Sequence, residues 1–180
     1  MNAKIKSTLA ELSEAIAADK HPWRWPGLTT VSPEGEPHSR IVVLRELKGE
    51  AAFVYTDART QKILDLRHKP ACSLLFFDPD EKRQVRAGAV AITHHRDRAC
   101  RERWEALNER QRGEYQAQGA PGQPHSPQGT TIDPSLGMAH FAVLELTLNR
   151  LDILKLTREA HIRHLFTKSG KQWTGGRIIA

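Results

Sequence analysis

Between residues 28 and 92 the chain runs through apolar stretches too short for helices, each bounded by residues that favour turns. That pattern restricts the fold more than any other feature. Residues 28–31 and 39–46 read as two strands of a hairpin joined by Ser32-Pro33-Glu34-Gly35-Glu36, and 51–56 follows the turn at Lys48-Gly49 as a third strand. Residues 71–77 form a nearly unbroken apolar run suited to a strand buried on both sides, and Asp78-Pro79-Asp80 turns the chain into 83–92. Beyond them, 138–147 and 151–157 read as strands, and 161–167 pairs with 172–179 across Ser169-Gly170-Lys171. Helical spacing is confined to three places. Residues 1–20 carry Leu9, Leu12 and Ile16 on one face, 60–68 carries Ile63, Leu64 and Leu66 and is ended by Pro70, and 96–107 is charged. Strands joined by tight turns outnumber these helices. The expected fold is mainly β (α+β), an antiparallel barrel of about six to eight strands with flanking helices.

At 180 residues the chain is expected to form a single domain over 1–180. Its 27 Lys and Arg against 21 acidic residues give a formal charge of +6, a balance that suits an anionic ligand. The two cysteines, Cys72 and Cys100, have no CxxC spacing, which argues against a disulfide scaffold or a thiolate zinc site. His94-His95 with Asp97 diverge on one short segment and read as the polar opening of a helix, so no metal is expected. Residues 1–20 lack an apolar core of signal-peptide length and no run approaches a membrane span, so the expected setting is the cytoplasm with no membrane partner. Trp23 and Trp25, between Pro22 and Pro26, read as packing over the barrel. With aromatics at 6% and no recognised motif, no nucleic-acid partner is expected. Residues 113–137 are rich in Gln, Gly, Pro and Ser, a long irregular stretch that is either a functional loop or disordered.

Three segments carry chemistry. The basic strand Ser39-Arg40-Ile41-Val42-Val43-Leu44-Arg45 places Arg40 and Arg45 five positions apart, on opposite faces and about 16 Å from one another, so they serve different groups. Tyr55-Thr56-Asp57 ends a strand just before the helix bearing Lys62, where free backbone N–H groups near Thr60 can meet a phosphate beside an ammonium. Gln84 can offer both a donor and an acceptor to a ligand.

In order and spacing, residues 39–45, Phe53-Val54-Tyr55-Thr56, Thr60-Gln61-Lys62, residues 70–77 and Arg83-Gln84-Val85 together resemble the FMN-binding half of the pyridoxamine 5'-phosphate oxidase group, the split-barrel flavoproteins. The resemblance implies a split barrel and a cofactor, FMN, bound between the two subunits of a homodimer. It implies contacts from Arg40, Ile41, Val42, Val43, Leu44, Arg45, Tyr55, Thr56, Thr60, Gln61, Lys62 and Gln84. Arg40 would take the cofactor's phosphate, Arg45 would lie towards the ring and any anionic substrate, and Gln84 would contact the isoalloxazine. Thr60, Gln61 and Lys62 match a Ser-Arg-Lys triplet of the oxidases, so one charge of the phosphate site is missing. Near the C-terminus Arg163 matches an arginine that reaches FMN, or His164 does if no gap is allowed, and Leu154 or a neighbour stands where the oxidases have a tryptophan.

Residues 103–107, with Arg110, Arg112, Tyr115 and Pro121-Gly122-Gln123-Pro124, resemble the branch called pyridoxamine 5'-phosphate oxidase-related. The Tyr, Arg and Ser clamp that holds the substrate phosphate in the true oxidases is not found, nor is their Arg-x-His pair in register. The function implied is an FMN-dependent oxidoreductase with an unnamed substrate or electron donor and no assigned catalytic side chain. The alternatives are a non-catalytic flavin-binding or sensing protein, a true pyridoxamine/pyridoxine 5'-phosphate oxidase, and a basic nucleic-acid-binding barrel.

Overall fold

The computed structural model describes residues 2–18, 20–124 and 129–180. Asp19, at the end of the expected first helix, and residues 125–128 of the long loop lie outside the described residues. Among the described residues nine antiparallel strands form one sheet: β1 (Gly27–Val31), β2 (Pro37–Ile41), β3 (Leu44–Lys48), β4 (Ala51–Asp57), β5 (Ala71–Asp78), β6 (Arg83–His94), β7 (Phe141–Lys155), β8 (Ile162–Ser169) and β9 (Gln172–Ile178). Their order is β2-β1-β5-β6-β7-β4-β3, with β8 laid on β7 and β9 on β8. Helix α1 (Ala3–Ala17) precedes the sheet, α2 (Gln61–His68) joins β4 to β5, and α3 (Arg98–Glu105), α4 (Glu109–Gly113) and the short α5 (Gly137–His140) lie between β6 and β7.

The expected strand 39–46 is in fact two strands. β2 pairs with β1 at one end of the sheet and β3 pairs with β4 at the other. Only Val42 and Val43 separate them, and three peptide units reach at most about 11 Å, so the sheet curls until its two edges meet. As the chain crosses, the Val42 N–H donates to the Pro26 carbonyl at 3.0 Å, and Val42 and Leu44 turn their side chains inward. Ile41 is 65% exposed, because the strand's alternation sends it to the outer face.

Two further expectations change. Strand β5 is buried on one side only: Leu74 and Phe76 face the interior, while Leu75 and Phe77 are 44% and 50% exposed. The segments 138–147 and 151–157 are not two strands, since one strand, β7, runs through both and Met138 belongs to α5. A bulge at Asn149 leaves Ala89 paired with Leu148 and Gly88 with Arg150, so the inward residues change phase from Leu146 and Leu148 to Leu151 and Ile153.

Two cores occupy the two faces of the sheet. Inside the barrel Leu28, Leu44, Val54, Leu74, Phe76, Val85 and Leu144 pack together, closed by Ile5, Leu9 and Leu12 of α1. On the outer face of β4 and β7, Phe53, Phe141 and Val143 pack with Cys100, Leu107 and Tyr115 from the helical segment. Trp23 is buried against Phe76 with the Arg83 guanidinium 4.2 Å from its ring centre, whereas Trp25, expected to pack, is 50% exposed. Asp97 caps α3 by accepting from the Cys100 N–H and receives His94 Nδ1 at 2.7 Å. The stretch 113–137 is pinned at its base, where Gln118 N–H donates to Thr131 and Asp133 N–H to Gln116. No described helix is long and apolar enough to cross a membrane.

Candidate functional site

The inward face of β1 and β2 meets the first turn of α2 around one carboxylate. Asp65 is fully buried, in register with Ile63 and Leu66, which seat the helix on the barrel. Its Oδ2 accepts from Thr30 Oγ1 at 2.6 Å and contacts His38 Nδ1 at 3.0 Å and Arg40 Nη2 at 3.6 Å. Its Oδ1 accepts from Gln61 Nε2 at 2.9 Å. Burial alone would push this carboxyl upward, but hydrogen bonds from Thr30, Gln61 and His38 outweigh it and hold the group below the usual carboxylate range. Arg40 donates from Nη1 to Thr30 Oγ1 at 2.6 Å. Burial lowers its pKa, and Asp65 opposes that shift.

Lys62 lies alongside. Its ammonium donates to Thr56 Oγ1 at 3.0 Å and Thr60 Oγ1 at 3.1 Å, and its pKa is lowered first by burial and then by Arg40. Thr60 occupies the cap position of α2 without capping it, because its hydroxyl donates back to the Asp57 carbonyl. The Gln61 and Lys62 N–H groups therefore open the helix with no intrahelical partner. Two partly buried cations, a hydroxyl and a helix N-terminus make a site that fits a phosphate monoester, since a dianion relieves the repulsion between the cations and meets charge-assisted donors. Of the expected phosphate residues, Arg40, Thr60 and Lys62 come together here. Gln61 turns its amide along the helix towards Asp65.

The remaining expected residues lie elsewhere on the barrel. Arg45 has its guanidinium carbon 5.9 Å from the Tyr55 ring centre, on the helix-covered side where Tyr55 donates to Glu46 at 2.7 Å. Thr56 faces Lys62, one residue and one face away from Tyr55. Gln84 pairs with Phe77 and Leu154, and Leu154 pairs with Arg163. These four residues therefore form one row on the outer face. Arg163 forms two hydrogen bonds to the nearly buried Asp152, at 2.9 and 2.8 Å, and Arg86 pairs with the same carboxylate. His164 points to the opposite face, where its ring stacks on Phe166. Arg40, paired with the inward Leu28, and Gln84 thus emerge on opposite faces of the sheet.

Sequence reading missed Thr30, His38 and Asp65. The available signal was Asp65 itself, an acid between Leu64 and Leu66 and four residues after Gln61, the spacing at which helical side chains meet. Among the described residues no three His, Cys, Asp or Glu side chains cluster as metal ligands.

A model of the pyridoxamine 5'-phosphate oxidase family matches residues 27–147. Among curated proteins, the pyridoxine/pyridoxamine 5'-phosphate oxidase of Acinetobacter baumannii is 39% identical over 84 residues, which are 47% of this chain and 38% of that protein. The match thus spans well under half the length of that relative. Among solved structures, a pyridoxamine 5'-phosphate oxidase-related, FMN-binding protein from Nostoc punctiforme superposes with a TM-score of 0.83 at 21% identity, covering 100% of both chains. PhzG from Burkholderia lata, solved with tetrahydrophenazine-1-carboxylic acid, superposes with a TM-score of 0.78 at 12% identity, covering 98% of this chain and 92% of that one. At these identities the structural likeness establishes the fold, an antiparallel split barrel with flanking helices.

Proposed function

The chain belongs to the pyridoxamine 5'-phosphate oxidase family, and from that premise we propose that it binds FMN and works as an oxidoreductase. Arg40, Thr60, Lys62 and the first N–H groups of α2 take the flavin's phosphate. The observation that carries this reading is the gathering of Arg40, held to Asp65, and Lys62, held to Thr60, at the open N-terminus of α2. Bound FMN supplies the hydride-accepting chemistry, and the protein's part is to bind, orient and polarise.

Gln84 and Arg163 lie on the sheet face opposite Arg40, so one flavin can receive both sets only if a second copy contributes. That outer face carries Ile41, Leu75, Phe77, Val90 and Ile92, each at least 42% exposed, a patch suited to a homodimer. Arg45, lying over Tyr55, is the cation placed for an anionic substrate. The substrate proposed is not pyridoxamine phosphate, because the nearby groups that could clamp a second phosphate are committed. Arg103 donates to Glu46, Arg112 donates to the Trp104 and Glu105 carbonyls, and Tyr115 is buried against Phe141.

A second reading, a flavin-binding or sensing protein without turnover, is favoured by one contact. Arg59 donates to the Ala117 and Gln118 carbonyls at 3.1 and 2.9 Å, so the long loop is fastened beside Thr60. Purified protein should take up FMN and turn yellow, and Arg40→Ala should weaken that binding about 10- to 100-fold, the worth of hydrogen bonds to a charged group. A colourless protein indifferent to FMN and to Arg40→Ala sinks the proposal. With FMN bound, bleaching by NADH or NADPH supports the oxidoreductase. Bleaching by pyridoxamine phosphate would overturn the substrate exclusion, and no bleaching by any of the three favours the binder.

A further inference from the structure

Resting on the FMN site proposed above, we infer that Asp65 is its positioning residue: the carboxylate aligns Arg40 and the first turn of α2 for a phosphate monoester, and so sets the preference for phosphorylated over unphosphorylated flavin. Asp65 is fully buried and gathers partners from three elements, Thr30 on β1, His38 and Arg40 on β2, and Gln61 in the first turn of α2. No other described acid ties the cation-bearing strand to the anion-facing helix end.

The hydrogen bonds give that tie a direction. A threonine hydroxyl has one proton to donate, and Thr30 spends it on Asp65 at 2.6 Å. Its oxygen must then accept, and Arg40 Nη1 supplies the proton at 2.6 Å. Asp65 thereby fixes the orientation of Thr30, and Thr30 fixes one arm of the guanidinium. At the helix, the Gln61 amide is drawn towards Asp65 at 2.9 Å, which keeps it from folding over the N–H groups that open α2. Replacing the carboxylate by an amide turns one acceptor oxygen into a donor facing His38, Arg40 or Gln61, which breaks the chain at its centre. Asp65 also carries a negative charge close to an anion site, and that repulsion acts in the opposite sense. Positioning and repulsion therefore predict opposite changes in FMN affinity.

The test titrates wild type, Asp65→Asn and Thr30→Val with FMN and with riboflavin, which has the ring but no phosphate, following quenching of flavin fluorescence. The expected result for Asp65→Asn is a rise of about 10- to 100-fold in the Kd for FMN, the range for lost bonds to charged groups, with riboflavin binding changed much less. Thr30→Val keeps the carboxylate and removes only the relay hydroxyl, so it should move the FMN-to-riboflavin ratio the same way by a smaller factor. If Asp65→Asn does not fold, Thr30→Val decides: a shifted ratio supports the inference and an unshifted one overturns it. Equal losses for both flavins, unchanged FMN binding or tighter FMN binding in Asp65→Asn overturn it as well. Wild-type protein that binds neither flavin overturns the FMN reading and the inference together, an outcome distinct from a normal wild type with an indifferent Asp65→Asn.

Discussion

Lys62 is held as an ammonium where burial and Arg40 both work against its charge, with its pKa below the ordinary 10.5. The protonated form is the one that meets a phosphate. In the free protein that proton is lost at a lower pH than usual, so FMN affinity should fall as pH rises, and the fall should begin before the ordinary lysine value is reached. Riboflavin, lacking the phosphate, should show no such limb. Lys62→Arg, whose guanidinium stays charged throughout, should bind FMN less well at neutral pH because its fork does not fit the Thr56 and Thr60 hydroxyls, and should lose the alkaline fall. A titration of FMN affinity against pH reads this directly, and an identical alkaline limb in Lys62→Arg would rule out Lys62 as its source. As candidates, Lys62 was legible in a short local pattern, a lysine after a helix-opening threonine, and Arg40 through the family resemblance of its strand. Asp65 was not, since its partner Thr30 lies 35 residues away and nothing local separates a buried helical aspartate from a solvated one.

At the level of elements, the turns and apolar runs gave most strands correctly, and the errors share a cause. A local pattern records alternation and cannot record which neighbour a strand will choose. The chain passes from β2 to β3 through Val42 and Val43 with neither glycine nor proline to mark the change of edge. In β7 the bulge at Asn149 reverses the inward phase, so one strand reads as two. The helical segment between β6 and β7 was legible as a helix, but its docking was not, because that depends on a charge cluster assembled from distant positions. Glu46 on β3 accepts from Tyr55 at 2.7 Å and from Arg103 of α3 at 2.8 Å, and pairs with Lys48 at 2.8 Å. Burial would push its carboxyl up, yet hydrogen bonds from Lys48, Tyr55 and Arg103 bring it down to about 2. A depressed carboxylate contributes stability that is present above its unfolded value, 4.5 here, and is lost as pH falls towards about 2. Glu46→Gln should therefore be less stable than wild type at neutral pH, by about 1–3 kcal/mol, with the difference closing across that acid window. Denaturant unfolding at stepped pH values measures it, and a gap that stays constant into acid would assign the loss to packing instead.

Over the whole molecule, closing the sheet on itself creates an inside and an outside, and the expected flavin residues divide between them. Arg40 and Lys62 look inward at the barrel's end, while Gln84 and Arg163 look outward from a face whose apolar side chains Ile41, Leu75, Phe77, Val90 and Ile92 are exposed among the described residues. On the reading proposed above, a monomer with this division would hold the phosphate but would not also present Gln84 to the ring of the same ligand. On that same reading, two copies joined across the outer face can, and affinity for the complete cofactor is then expected to depend on the dimer. Phe77 is the sharpest probe, half exposed and opposite Gln84 in the strand pairing. Phe77→Asp removes little from the barrel interior, where Phe76 and Leu74 keep their places, so the fold should persist with unchanged circular dichroism. Burying the new carboxylate against a second copy would cost several kcal/mol, so sedimentation should report a monomer. FMN affinity should drop with it by more than about tenfold, as expected when one set of charged or hydrogen-bonding contacts is withdrawn, even though Arg40, Thr60 and Lys62 are untouched. A Phe77→Asp protein that stays dimeric would remove this face from the interface. A monomer that retained full FMN affinity would show that one barrel binds the cofactor alone, and Gln84 and Arg163 would then need a different role.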